Sequence, residues 1–308
     1  MRLIYQYLEP DRIIGSRSFK TTESFLKAMR YTQVGWHYRV DLAWILWCLQ
    51  KLPIGAKILD AGGGRGPLQF LLAELGYEVS NIDLFHKEPP QWMRSRYNIT
   101  VEALPSFSRT SYADHIEHFG YRSKVVSTLE PLRNFPPIVL AKWATMKIAL
   151  SSWRKAQNLQ QRPIGRVFWY RGNLAAIPEI GDNSFDALVS LSSLEHITLD
   201  ILPSAVSELK RVVKQDGAWA VTTSATDKAR GWWHTPSQGY CFSTSELRTI
   251  FEAMPAAKQR PAAILSLYRQ NDYLKNNLSK FYFKSGNNGM PWGRWDPQYI
   301  PVGISSGN

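Results

Sequence analysis

The chain has 308 residues, 44% of them hydrophobic and 20% charged, and its 37 basic and 25 acidic side chains give a formal net charge of +12. This composition is that of an ordinary globular protein and excludes the disordered, collagenous and coiled-coil classes. Two cysteines, Cys48 and Cys241, are too few for a disulfide framework and lack the spacing of zinc ligands. The amino terminus has no signal-peptide pattern, and no apolar run reaches the roughly 20 residues of a membrane span, so we expect a cytoplasmic protein.

The first clear structural signal is an apolar strand followed by a glycine-rich turn. Residues 57–61 predict a buried parallel strand, and four glycines lie between Gly62 and Gly66 directly after it. A helical pattern follows and ends at Gly76, and residues 78–83 predict the next strand. The order of strand, turn, helix and strand predicts a βαβ unit.

The connection after this unit is much longer than the usual link between elements of an α/β domain. About eighty residues separate it from the next predicted strand. From Lys87 to Arg171 there are 14 Lys and Arg against 5 Asp and Glu, so this span carries +9 of the net charge. Residues 138–155 predict an amphipathic helix that contains Trp143 and Trp153. We therefore predict an inserted basic, partly helical subdomain after the second strand.

Alternating elements resume beyond the insert. A helix is predicted at 200–214, and the spacing of Ser243 and Glu246 predicts a capping box at the start of another. Residues 270–298 are rich in Asn, Gly, Tyr and Trp and predict an ordered loop or lid. Strands are predicted at residues 166–170, 185–191, 218–223, 262–267 and 299–304.

The glycine turn restricts the kind of ligand that can bind. A dinucleotide fingerprint would need a third glycine where Pro67 stands, and no Gly-Lys-Ser or Gly-Lys-Thr follows to make a phosphate-binding loop. The remaining pattern is Asp60-x-Gly62-x-Gly64-x-Gly66. Asp83 closes the following strand, where a carboxylate can accept two hydrogen bonds from a ribose diol.

With these residues the chain resembles the class I S-adenosylmethionine-dependent methyltransferases of small-molecule type. Further landmarks of that family are residues 172–174, 182–186, 194–197 and 208–217. The resemblance covers residues 55–255 apart from the insert. It implies an α/β fold, with a doubly wound, mostly parallel, seven-stranded Rossmann-like sheet.

The resemblance also divides the chain. We expect an N-terminal helical cap at residues 1–54. The S-adenosylmethionine-binding methyltransferase domain is expected to comprise residues 55–86 and 166–308. Residues 87–165 would then form the inserted subdomain, which we expect to face the substrate or a partner.

S-adenosylmethionine is the cofactor that the resemblance implies. The glycines of the turn would lie under the methionine and ribose portions of the cofactor. Asp83 would bind the ribose hydroxyls, and Asp60 would order the turn. Asn173, where the family more often has Asp, would lie beside adenine with Leu174, and Leu191 would line the cleft. The implied cofactor-binding residues are Asp60, Gly62, Gly63, Gly64, Gly66, Asp83, Asn173, Leu174 and Leu191.

A hydroxyl acceptor benefits from a general base with a near-neutral pKa. His234 follows the fifth strand, where a parallel sheet opens its ligand crevice, and is the preferred candidate. His196 is the second candidate, against a structural or helix-capping role. His115 and His118 share a helical spacing but lack a third ligand, so we predict no metal site. The expected substrate wall is made of the tryptophans in irregular segments, Trp232, Trp233, Trp292 and Trp295.

The expected reaction is methyl transfer to a small-molecule, sugar (glycan) or lipid-linked acceptor, at oxygen. Two alternatives stay open: an RNA methyltransferase that uses the basic insert to bind nucleic acid, and a catalytically silent cofactor-binding or interaction protein. The insert itself has three interpretations. It is a solvated charged surface, an RNA-binding surface, or a peripheral contact with anionic lipid at the inner face of a membrane.

Overall fold

The computed structural model describes residues 2–31, 34–84, 89, 91–107, 137–278 and 294–307. A short 3-10 turn, Leu194–His196, follows the sixth strand. The strands are β1 (Leu3–Tyr7), β2 (Lys57–Ala61), β3 (Glu78–Asp83), β4 (Thr100–Ala103), β5 (Val167–Arg171), β6 (Phe185–Leu191), β7 (Val213–Ala225), β8 (Trp232–His234), β9 (Gly239–Cys241), β10 (Ala253–Pro255) and β11 (Ile300–Ser306). The helices are α1 (Pro10–Ile13), α2 (Arg17–Ala28), α3 (Tyr38–Cys48), α4 (Leu68–Glu74), α5 (Gln91–Tyr97), α6 (Pro137–Ala156), α7 (Leu202–Val212), α8 (Thr244–Ile250), α9 (Pro261–Arg269) and α10 (Asp272–Asn276).

The main sheet has the order β10-β1-β11-β7-β6-β2-β3-β5-β4. The strands from β7 to β4 run parallel, whereas β11 is antiparallel to both of its neighbours, β7 and β1. This confirms the predicted α/β architecture with a mostly parallel sheet. Within the described residues the sheet has nine strands rather than the seven expected, because one expected strand, residues 262–267, is helical, while β4 of the insert, β1 and β10 are added at the edges.

The centre of the sheet is a topological switch point. From β2 the chain passes to β3 and β5 on one side and then returns to β6 on the other side. In β2, all residues but Lys57 are buried, as expected for a strand covered on both faces. Ligands of open α/β sheets bind beyond the carboxyl ends of the strands at such a point.

The N-terminal segment contributes more than the predicted helical cap. Leu3, Tyr5 and Tyr7 alternate with less buried residues, and β1 pairs with β11 in the register Leu3↔Ser306. Helix α3 packs beside this part of the sheet, and the Trp44 ring lies so close to Gly303 of β11 that a Cβ there would be 2.5 Å from it. The segment is therefore part of the sheet as well as a helical layer.

The described part of the insert is joined to α4 by a buried ionic cluster. The Glu74 carboxylate is fully buried and accepts hydrogen bonds from Arg96 Nε at 2.5 Å and from the Tyr97 hydroxyl at 2.9 Å. Arg154 of α6 approaches the same carboxylate at 3.4 Å and also donates to the carbonyls of Leu159 and Arg162. Helices α5 and α6 are thus held on α4 by one acidic side chain.

One predicted strand is wrong. Residues 262–267 lie in α9, which begins at Pro261 and buries Ile264, Leu265 and Tyr268. These positions share one helical face, and a short apolar run does not by itself distinguish a strand from a buried helix. Among the residues described, no helix combines the length and the apolar character that crossing a bilayer requires.

Candidate functional site

A cavity of about 730 Å³ opens at the switch point. Its wall is formed at the carboxyl ends of four neighbouring parallel strands, β2, β3, β5 and β6, and by the loops that follow them. The turn between β8 and β9 contributes Ser237 and Gln238 from the other side. The cavity lies where the sheet topology predicts a ligand.

Two glycines of the turn, Gly62 and Gly63, leave no room for a side chain. Gly62 has φ +69°, and a Cβ there would lie 1.8 Å from the Ser193 hydroxyl oxygen. A Cβ on Gly63 would lie 2.2 Å from Asp60 Oδ2. The backbone therefore passes directly over the end of β2 and lines the cavity with main-chain atoms.

Asp83 connects the end of β3 to this turn. Its Oδ2 accepts a hydrogen bond from the Gly64 backbone N–H at 3.0 Å, and the side chain lines the cavity. Gly62 N–H donates to the Ile82 carbonyl at 2.8 Å, which ties the turn to the same strand. The turn and the carboxylate predicted for the ribose therefore lie together, as the spacing predicts.

Asp60 lies beneath the turn as a buried carboxyl group. It is 1% exposed, and neither of its oxygens has a hydrogen-bond partner among the described residues. Burial, and after it the nearby Asp83 carboxylate, raise the pKa of Asp60 to about 8. Because an unpartnered buried carboxylate is costly, the site is complementary to a cationic group. The sulfonium and ammonium groups of S-adenosylmethionine are of this kind, so the residues present fit that cofactor.

Asn173, Leu174 and Leu191 also line the cavity. Asn173 Oδ1 accepts a hydrogen bond from the Ala175 backbone N–H at 3.1 Å, within a turn after β5. The side-chain oxygen that would receive the adenine amine is thus already used in the turn. The adenine contact of Asn173 stays a prediction.

The two candidate bases occupy different positions. His196 lines the cavity, and its Nδ1 lies 2.6 Å from the Gln238 carbonyl oxygen. Because a carbonyl only accepts, Nδ1 carries the hydrogen, and in the neutral ring the lone pair is on Nε2. His234 is 1% exposed, is not among the described cavity-lining residues, and burial lowers its pKa to about 4. His234 instead contacts the wall residue Ser237, with Nδ1 2.6 Å from Oγ.

The described tryptophans of the expected substrate wall lie away from the cavity lining. Trp232 Nε1 donates to Thr226 Oγ1 at 3.1 Å, and Trp295 Nε1 donates to the Tyr268 carbonyl at 3.1 Å. Trp233 is 40% exposed on the β8–β9 hairpin. These rings pack on or project from neighbouring elements, and Trp292, like His115 and His118, lies outside the described residues.

A buried polar group behind the cavity wall was not predictable from the sequence. Asp41 of α3 is fully buried, and its Oδ2 accepts from Ser192 Oγ at 3.1 Å and contacts His37 Nδ1 at 2.7 Å. The other nitrogen of His37, Nε2, lies 3.3 Å from the Tyr299 hydroxyl. Ser192 lines the cavity and has φ +46°. The group joins residues 151 positions apart, and no local pattern signals such a contact.

The described wall of the cavity carries acidic side chains although the chain as a whole is basic. Asp60, Asp83 and Asp200 line the cavity together with His196. Among the lining residues that the structure describes there is no Lys or Arg. The Lys and Arg side chains that give the chain its net charge of +12 lie outside this described lining.

Comparison with known proteins adds a family match. Residues 141–221 match the model of a methyltransferase domain. This segment spans β5, β6 and α7 and includes Asn173, Leu191 and His196, but not the glycine turn. Among curated proteins, no match to the sequence is found.

Three solved structures illustrate what the chain is similar to. The 1,6-didemethyltoxoflavin-N1-methyltransferase of Burkholderia thailandensis is 15% identical, with 96% of this chain and 89% of that one covered and a TM-score of 0.41. A putative sarcosine dimethylglycine methyltransferase from Galdieria sulphuraria is 13% identical, with 93% and 97% covered and a TM-score of 0.44. The [4+2]-cyclase SpnF is 13% identical, with 94% of each chain covered and a TM-score of 0.45.

The family match, the sheet and the site agree with one another. Residues 141–221 match a methyltransferase domain, the sheet is doubly wound with an antiparallel β11, and the glycine turn and Asp83 meet at its switch point. The chain is thus similar over this segment to methyltransferase domains and has the mostly parallel α/β sheet that its resemblance to the class I S-adenosylmethionine-dependent methyltransferases implies.

Proposed function

We propose that this enzyme transfers a methyl group from S-adenosylmethionine to the oxygen of a small-molecule acceptor. The observation that carries the proposal is the unpartnered Asp60 carboxyl group beneath a glycine turn that Asp83 holds in place. The cavity volume of about 730 Å³ is suited to a cofactor together with a small acceptor. A sugar or a lipid-linked molecule would be a more specific choice of acceptor for the same reaction.

The chain's own residues would hold the cofactor in four ways. When bound, S-adenosylmethionine supplies a methyl group on a positively charged sulfur, which already makes that carbon electrophilic. Asp83 accepts hydrogen bonds from the ribose hydroxyls, and the turn from Gly62 brings the backbone close to the ligand. Asp60 offers negative charge to its cationic groups, and Leu174 and Leu191 exclude water from the cleft.

His196 is the better candidate for the general base. It lines the cavity, and hydrogen bonding of Nδ1 to the Gln238 carbonyl leaves Nε2 as the basic nitrogen of the neutral ring. His196 would take the proton that the acceptor hydroxyl loses. A pKa of about 4 makes His234 a weak base, and it contacts the lining residue Ser237 without being among the described lining residues itself. We assign His234 a positioning role instead.

The test has two stages. Calorimetry with S-adenosylhomocysteine should show saturable binding to the purified protein, and a panel of hydroxylated small molecules should then produce S-adenosylhomocysteine from S-adenosylmethionine. Lack of binding would refute the proposal at the first stage. Binding without turnover across the panel would favour the catalytically silent alternative. Turnover confined to RNA, with affinity falling steeply as salt rises, would favour the RNA methyltransferase.

A further inference from the structure

The part of the cavity beyond the glycine turn contains two serines, each bonded to a group behind the wall. Ser192 follows β6, and Ser237 lies in the turn of the β8–β9 hairpin. The hairpin turn is joined to the 3-10 turn after β6 by the bond from His196 Nδ1 to the Gln238 carbonyl. Because β2 lies between β6 and β3, these serines stand on the opposite side of the glycine turn from Asp83. With the adenosine bound beside Asp83, this opposite side of the cavity would remain open for the acceptor.

The hydroxyl hydrogen of Ser192 points away from the cavity. Ser192 Oγ donates a hydrogen bond to Oδ2 of the fully buried Asp41 at 3.1 Å. Asp41 is itself held by His37 Nδ1 at 2.7 Å. The Ser192 hydroxyl is therefore a donor to Asp41, and its remaining capacity toward a ligand is that of an acceptor.

The Ser237 hydroxyl group is also a hydrogen-bond donor to a group behind the wall, in this case His234. The Ser237 backbone N–H donates to His234 Nδ1 at 3.2 Å, so Nδ1 carries the lone pair. Ser237 Oγ lies 2.6 Å from the same nitrogen and must be the donor of that bond. Burial lowers the pKa of His234 to about 4, which keeps the ring neutral and Nδ1 an acceptor at physiological pH.

The acidic side chains of the cavity wall also select the acceptor by its charge. Asp60, Asp83 and Asp200 line the cavity, with no Lys or Arg among the described lining residues. An acceptor that carries phosphate or carboxylate would meet no Lys or Arg among these described residues and would lie near the Asp83 and Asp200 carboxyl groups, which is costly in a partly enclosed cavity. A neutral or cationic acceptor avoids this penalty.

We propose that Ser192 and Ser237 determine acceptor specificity, and that they select uncharged or cationic molecules with a hydroxyl group at the methylated position. This inference rests on the proposed function and names its substrate class. A polar site built to receive a donor rejects the analogue that lacks it, because the site's buried acceptors are then left unpaired. Phosphorylated lipid carriers and RNA are outside the class.

The experiment uses fragments that differ in one property each, with the full chain saturated by S-adenosylhomocysteine. Phenol is compared with anisole, which lacks the donor, and benzylamine is compared with benzoate, which reverses the charge. Dissociation constants are measured by ligand-detected NMR titration. We expect phenol to bind about tenfold more tightly than anisole, and benzylamine about tenfold more tightly than benzoate.

The variants test the two serines directly. Ser192→Gly keeps the positive φ, which glycine tolerates, and Ser237→Ala removes the second hydroxyl. The double variant should reduce the phenol preference to less than threefold while its affinity for S-adenosylhomocysteine is unchanged. Ser184→Ala is the control, because the Ser184 hydroxyl donates to the Gly181 carbonyl away from the cavity lining.

Each outcome decides the inference. The inference is overturned if anisole binds as tightly as phenol, if benzoate binds as tightly as benzylamine, if the double variant retains the phenol preference, or if none of the fragments binds. In each of these cases binding of S-adenosylhomocysteine would leave the proposed function standing. Failure of S-adenosylhomocysteine to bind the wild-type chain would instead refute the proposed function itself.

Discussion

The Asp83 carboxylate accepts a hydrogen bond from the Gly64 backbone N–H at 3.0 Å. Two neighbouring parallel strands are joined by this contact, because Asp83 ends β3 and the glycine turn follows β2. The same side chain faces the cavity, so it both holds the turn and remains in place for a ligand. A single carboxylate therefore holds the turn and lines the cavity in which we propose that the cofactor binds.

The first prediction concerns this carboxylate. Asp83→Ala removes the acceptor for ribose hydroxyls and for Gly64, and should weaken S-adenosylhomocysteine binding by about 1 to 3 kcal/mol. Isothermal calorimetry measures the change. Asp216→Ala is the matched control, because Asp216 is exposed on β7 and should leave the affinity unaltered. Equal affinities for wild type and Asp83→Ala would remove Asp83 from the site.

The second prediction concerns proton release. Burial raises the pKa of Asp60 to about 8, so this group is mostly protonated at pH 7 in the free protein. The ammonium group of bound S-adenosylhomocysteine favours the ionised Asp60 carboxylate. Binding should therefore release a proton at pH 7, and the affinity should increase as the pH rises toward 9. Calorimetry of S-adenosylhomocysteine binding in buffers of different ionisation enthalpy measures the release.

The variant for this prediction is Asp60→Asn, which has no proton to release. It should bind S-adenosylhomocysteine with a heat that no longer depends on the ionisation enthalpy of the buffer. If the wild-type heat is already independent of the buffer, Asp60 does not ionise on binding and its assigned role is wrong.

The third prediction concerns stability in mild acid. The pKa of His234 is lowered by burial from 6.5 to about 4, so between these values the unfolded chain binds a proton that the folded chain does not. The contribution of His234 to stability is therefore complete above pH 6.5 and is lost as the pH falls toward 4, by about 3 kcal/mol in total. Urea unfolding of wild type and His234→Gln at pH 7.5 and 5 measures it. The variant should lose less stability between the two pH values, and an identical loss would contradict the account.

The fourth prediction concerns the ionic cluster under the insert. Glu74→Ala leaves Arg96 and Arg154 as buried cations without their carboxylate, and should lower the free energy of unfolding by about 3 to 5 kcal/mol. Glu252→Ala removes an exposed pair with Lys210 and should cost less than about 1 kcal/mol. Denaturant titration compares the two. Similar losses would show that Glu74 does not hold the insert.

Local sequence patterns predicted the elements around the cavity well. The strand at Glu78–Asp83, the strand at Phe185–Leu191 and the Ser243 capping box are present as expected. Each depends on residues adjacent in sequence: an apolar run, a glycine, or a cap three residues from its partner. The strand Leu3–Tyr7 was not predicted: its alternation of buried and half-buried positions is seen in the structure, whereas the apolar Ile4 obscures it in the sequence.

Contacts between distant segments were not predictable in this way. Asp41 and Ser192 meet only because α3 packs beside β6 and β7, and neither residue belongs to a motif. His234 occupies the expected segment, but the hairpin turns its ring into the protein and presents Ser237 to the cavity. The position after a strand end therefore indicated the correct segment, but it did not indicate which side chain of that segment lines the cavity.

The central claim is that the glycine turn and Asp83 bind the adenosyl cofactor. Its most direct measurement is a crystal structure of the chain grown with S-adenosylhomocysteine. The account predicts density for the ligand in the cavity, with both ribose hydroxyls within hydrogen-bond distance of the Asp83 carboxylate and the amino group beside Asp60. A cavity filled by the protein's own side chains, or ligand bound away from Asp83, would contradict it.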